Sequence, residues 1–207
     1  MPTPPAPEPG RPTRPEVPDG LPVPGRFAHL HPDDGACLME AASLLATGRF
    51  TDRPPGTHPV LAALARAVND SVDDATRRAL WPLAADLADS GPADRAYGPL
   101  LVGTVVDAAR RVRPGSRRLE CRSAACHARA RRLARARTST APARIADMLW
   151  WHGPGHHALE HALRVLLSAP DADQRLSRLL HRAVTEARVR TTREQEPLPA
   201  QALSQRG

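Results

Sequence analysis

Apolar residues along most of this chain recur every three or four positions, the spacing that gathers them on one face of an α-helix. Leu38, Ala41, Ala42 and Leu45 share one such face, with Asp33 and Asp34 as capping residues before it and Gly48 where a C-terminal cap belongs. Thr57 precedes a second helix that has Pro59 in its first turn and Val60, Leu61, Leu64 and Val68 as its inward stripe. Ser71 and Asp74 resemble a capping box for a third, which carries Leu80, Leu83 and Leu87 and which Pro82 must kink or restart. A fourth runs from about Asp94 to Val112 with Leu100, Leu101, Val105, Val106 and Ala109, until Pro114 and Gly115 stop it.

Ser116 then caps a strongly basic helix, which "TSTAP" at 138–142 ends. A short helix with Ile145, Met148 and Leu149 follows, "HGPG" at 152–155 forces a turn, and Leu159, Ala162, Leu163 and Leu166 make the stripe of a seventh. Pro170 and Asp171 open the last, with Leu176, Leu179, Leu180 and Val184 inward. No segment alternates convincingly as a strand does, and no Asn-Gly hairpin turn is present. The pattern predicts an all-α protein, an irregular bundle of about seven to eight helices. Residues 1–26 read as a disordered proline-rich tail and 191–207 as a second disordered tail, with an N-terminal helical module over 27–113 and an arginine- and histidine-rich helical module over 114–190.

Within the first module, "CLMEAASLLATG" at 37–48, "HPVLAALARAVND" at 58–70 and "LWPLA" at 80–84 resemble a pattern that recurs in an uncharacterised helical family of high-GC Gram-positive bacteria. The resemblance covers a quarter to a third of the chain, implies a shared helical module and carries no activity. The same stretch holds Cys37, Glu40, Asp52, His58, Asn69 and Asp70, a polar set whose residue types and positions suit helix caps and turns.

Charge sharpens the picture. The 207 residues contain 29 basic side chains, all arginine, against 22 acids, for a net charge of +7. Residues 1–109 hold 9 arginines and 14 acids, 110–137 hold 11 arginines and one acid, and 138–207 hold 9 arginines and 7 acids, so one short stretch supplies the whole excess. On a helical wheel Leu119, Cys126, Ala130 and Leu133 fall in a narrow sector, while Arg117, Arg118, Arg129, Arg131, Arg132 and Arg135 spread over the flanks and the far side. Like charges four apart, such as Arg131 and Arg135, repel by a few tenths of a kcal/mol, and Glu120 alone cannot neutralise the surface. An anion should therefore stabilise it: a nucleic-acid backbone, an acidic partner protein, anionic lipid, or the acidic front half of this chain, within one molecule or across a homodimer. Aromatic stacking residues are missing from this helix, which argues against readout of bases.

A second chemistry lies in "WWHGPGHHALEH", where four of the nine histidines fall between His152 and His161. His157, Glu160 and His161 follow the order of the zinc site of the inverted zinc peptidases, a likeness five residues long. Those enzymes use mixed α and β domains and a further distant glutamate, so their activity is not carried over. Zinc held by His152, His156, His157 and His161 is the metal alternative to a solvated polar face. Cys121 and Cys126 sit about 140° apart on a continuous helix and cannot share an ion.

Other classes are excluded more simply. Three cysteines make no disulfide framework, no apolar run approaches the roughly 20 residues of a membrane span, and no signal peptide is visible, which together predict a cytoplasmic protein. Phosphate-loop, dinucleotide and Gly-x-Ser-x-Gly patterns are absent. The sequence thus points to a non-enzymatic interaction module built on the arginine helix, with a small metal-binding protein or metal-dependent hydrolase as the alternative. The first reading stands only if the front half's carboxylates leave that helix uncovered.

Overall fold

The computed structural model describes residues 20–136 and 140–196. Among these the chain forms α1 (Leu38–Thr47), α2 (Pro59–Ser71), α3 (Asp74–Leu80), α4 (Leu83–Leu87), α5 (Tyr97–Val112), α6 (Arg117–Arg135), α7 (Ala141–Trp150), α8 (His156–Leu167) and α9 (Ala172–Gln195), with only isolated β-bridges. A five-residue π-type turn, Trp151–Gly155, joins α7 to α8 without a loop, so the two run as one kinked helix and the bundle counts eight helical stretches. The all-α expectation holds.

Capping chemistry sets the first helices. Cys37 is the N-cap of α1: its Sγ accepts from the Glu40 N–H at 3.5 Å, while Glu40 Oε2 accepts from the Cys37 N–H at 2.8 Å. Glu40 is only 1% exposed and also accepts from the His29 N–H at 2.7 Å. Gly48 closes α1 at φ 68°, a conformation open to glycine. The cap of α2 is His58 rather than Thr57, because the Thr57 hydroxyl donates instead to the Leu87 carbonyl at 2.6 Å. Ser71 likewise lies inside α2, bonding back to the Ala67 carbonyl, and Asp73 caps α3 by accepting from Thr76. Buried Arg77 donates to the Asn69 and Val72 carbonyls, satisfying orphan acceptors at the end of α2. Asn69 itself ties α2 to the Leu38 N–H and the Gly25 carbonyl. The polar set in this module therefore acts chiefly as caps and ties.

Helix α5 is the axis of the molecule. Tyr97, Leu101, Val102, Val105, Val106 and Ala109 are all buried, and α6 and α8 pack along it. Gly103 lets α6 come close, since a Cβ there would lie 2.9 Å from the His127 ring. Long α9 crosses α2, α4 and α8, and the Tyr97 hydroxyl donates to its Ala183 carbonyl at 3.3 Å. One hydrophobic cluster runs from Ala36 to Ala187, so the segments on either side of residue 114 share a single core.

The boundaries of the tails differ from expectation. Residues 20–26 belong to the described chain, where the Val23 carbonyl accepts from Ala36 and the Gly25 N–H donates to the Ala36 carbonyl. At the other end α9 extends to Gln195, with Thr191 buried and Glu194 accepting from the Ala93 and Asp94 N–H groups. Those long-range bonds order a stretch whose composition alone reads as loose. The rest of both expected tails, 1–19 and 197–207, lies outside the described residues. Helix α7 departs in another way: it buries no residue, and Ile145, Met148 and Leu149 face solvent rather than the core.

Candidate functional site

Helix α6 spans 19 residues, about 28 Å. It seats Leu119, Ser123, Cys126 and Ala130 against α5, with Asp107 as a polar anchor: the Ser123 hydroxyl donates to it at 2.6 Å and the His127 ring lies 2.7 Å from it. Burial works against ionisation of Asp107, but the hydrogen bonds from Ser123, His127 and Arg110 outweigh it and hold the carboxyl below its usual range.

Opposite this seam lie Arg117, Arg118, Arg131, Arg132 and Arg135, all exposed and all without an ion pair among the described residues. At 100° per residue they occupy an arc of about 140°. Arg117 and Arg118 stand about 20 Å along the axis from the other three. Between the two groups the face carries Cys121, Ala124, Ala125 and Ala128, side chains short enough to let a partner's backbone come close. Among the described residues no acid of the front half pairs with this face; the one that reaches α6 by a hydrogen bond or ion pair is Asp107, on the buried side.

Arg129 departs from the expected set. Its Nη2 donates to Asp147 at 2.7 Å and to the Ala146 carbonyl at 3.3 Å, and its guanidinium stacks 5.2 Å from the Trp150 ring centre. It is committed to holding α7, as Arg122 is to the His157 carbonyl at 2.9 Å. A wheel places both on the flank of the basic face but cannot show what the flank touches.

The histidine cluster separates into parts. His156, His157 and Glu160 bring three ligand atoms within 4.8 Å of one another, while His152 and His161 stand outside that group. All three of its members are exposed. His161 is held below its ordinary range by burial and then by the Arg122, Arg164, Arg118 and Arg113 guanidiniums, and its Nδ1 is buried without a partner. Of the cysteines, Cys37 and Cys126 are buried, which pushes their thiols up to about 12 and about 11, and Cys121 is exposed.

No protein-family model, curated protein or solved structure matches the chain. No helix among the described residues is long and apolar enough to cross a membrane.

Proposed function

We propose that this protein is a non-enzymatic helical interaction module of the cytoplasm, whose outer α6 face docks an extended polyanion: a nucleic-acid backbone or the acidic surface of a partner protein. The observation that carries the reading is the open arc of Arg117, Arg118, Arg131, Arg132 and Arg135 over a floor of small side chains, with no carboxylate of the chain paired to it among the described residues. Guanidinium forks match phosphate or carboxylate oxygens, and their spacing along a rigid helix suits a repeating charge better than a single ion. Without aromatic residues on the face, contact is to backbone and indifferent to base sequence.

Replacement of Arg117, Arg118, Arg131, Arg132 and Arg135 by glutamine tests it. Loss of retention on heparin and of binding to a fluorescent duplex is expected; unchanged elution sinks the reading. Sedimentation of the wild-type chain alone reports whether two copies pair through the same surface instead.

A second reading rests on the convergence of His156, His157 and Glu160, which supply one nitrogen each and a carboxylate suited to zinc. Metal analysis of tag-free protein separates the two, since a zinc site holds about one equivalent per chain.

A further inference from the structure

Away from the arginine face, the first turns of α2 and α5, α7 and the π-type turn enclose a cleft of about 840 Å³. That volume lies in the range of sites for small organic molecules. Its floor is apolar, made by Val60 and Ala63 of α2 with Gly98 and Pro99 of α5, and its wall carries Trp150 and Trp151.

The charge in the cleft is unbalanced. Two carboxylates line it, and both are already engaged by arginine. Asp94 takes Arg190 at 2.9 Å and caps the Ala96 N–H at 2.8 Å, and Asp147 lies between Arg95 at 2.6 Å and Arg129 at 2.7 Å. Arg53, largely exposed, and Arg66 and Arg144 remain on the lining. Arg144 has no ion pair among the described residues; Arg66 is positioned by the Asp52 carbonyl at 2.8 Å, with the Asp52 carboxylate further off at 3.8 Å.

His58 adds a neutral donor. Its Nδ1 accepts the Val60 N–H at 3.2 Å, which leaves the ring proton on Nε2, and the ring stands edge-on to Tyr97 with centroids 4.9 Å apart. Burial keeps it uncharged by lowering its pKa to about 4. Glycine at 98 gives this ring its room, as a Cβ there would sit 3.1 Å from His58 Cε1.

The outer wall is lightly attached. Helix α7 buries no side chain and is held by the Arg95–Asp147–Arg129 bridge and by Trp150, whose ring fills the space a Cβ on Gly155 would occupy. Beside it Gly153 takes a non-helical conformation at φ −118°, ψ −105°.

We propose that this cleft binds a small organic anion, with a flat aromatic body against Trp150 and Trp151 and its acidic group met by Arg66 and Arg144. The proposal does not depend on what α6 binds. Naphthoate serves as probe, read by tryptophan fluorescence, because Trp150 and Trp151 line the cleft while Trp81 is buried in the core. Saturable quenching is expected, with the neutral naphthamide at least about tenfold weaker, the difference one charge-assisted contact makes. Arg66→Gln with Arg144→Gln should reduce naphthoate to the level of the amide, and Ala63→Phe, which fills the floor, should remove binding of both. Circular-dichroism melts verify that each variant is folded. Equal binding of acid and amide, quenching that survives Ala63→Phe in a folded protein, or no quenching at millimolar naphthoate would overturn the proposal.

Discussion

The salt dependence of duplex binding puts a number on the arginine face. Each phosphate neutralised on duplex DNA contributes about −0.9 to the slope of log affinity against log salt, so contacts from Arg117, Arg118, Arg131, Arg132 and Arg135 correspond to about −4.5. Raising salt from about 50 to about 200 mM should then weaken binding about 500-fold. The triple change Arg131→Gln, Arg132→Gln and Arg135→Gln leaves two contacts, for which the slope falls to about −1.8 and the loss over the same range to about 12-fold. Fluorescence anisotropy with a labelled duplex longer than α6 measures both slopes. Arg129→Gln is the internal control: that side chain is already spent on Asp147 and Trp150, so the slope should stay at its wild-type value. A triple variant with the wild-type slope, or an Arg129→Gln effect as large as the triple one, would refute the assignment of the outer face.

Three further outcomes are expected. Glu40→Ala strips the partners from the buried Cys37 N–H and the half-buried His29 N–H and should cost about 3–5 kcal/mol in urea unfolding, a large share of the stability of a single domain; a loss under about 1 kcal/mol contradicts the capping role. His58, with its pKa lowered from 6.5 to about 4, contributes stability that is complete above pH 6.5 and is lost as pH falls toward 4, up to about 3 kcal/mol. Asp73, Asp74 and Asp171 stay ionised through that window because the Thr76 N–H, Arg77 and Arg175 hold them below their usual range. His58→Asn, which keeps a capping oxygen, should therefore flatten the decline in melting temperature between pH 6.5 and 4. Finally, a thiol-disulfide reagent should find one fast thiol in the native protein, Cys121. Cys121→Ser should abolish that phase, and polyanion should protect it if the floor of the α6 face is the contact.

Much of the secondary structure is legible in residue order, because helix periodicity and stop signals act over a few positions. Gly48, Pro82 and the Pro114–Gly115 pair end or divide helices where local sterics require it, and the crowding of eleven arginines into 110–137 is fixed by the chain itself. The wheel also separates the packed stripe of Leu119, Cys126 and Ala130 from the basic side of α6. Caps chosen between neighbours were harder to read: Thr57 yields to His58 because the Leu87 carbonyl, thirty residues away, claims its hydroxyl.

What surrounds a helix is a different matter, since it depends on residues far apart in sequence. Only the folded chain removes Arg129 from the open face by bringing Asp147 to it, leaves Ile145, Met148 and Leu149 in solvent, and anchors α9 to the start of α5 through Glu194. The cleft is the clearest case. His58, Arg66, Gly98, Arg144 and Trp150 come from three helices and a cap spread over almost a hundred residues, and no local pattern brings them together. Periodicity decides which side chains share a side of one helix; the packing of α2, α5 and α7 decides which of those sides enclose a common space.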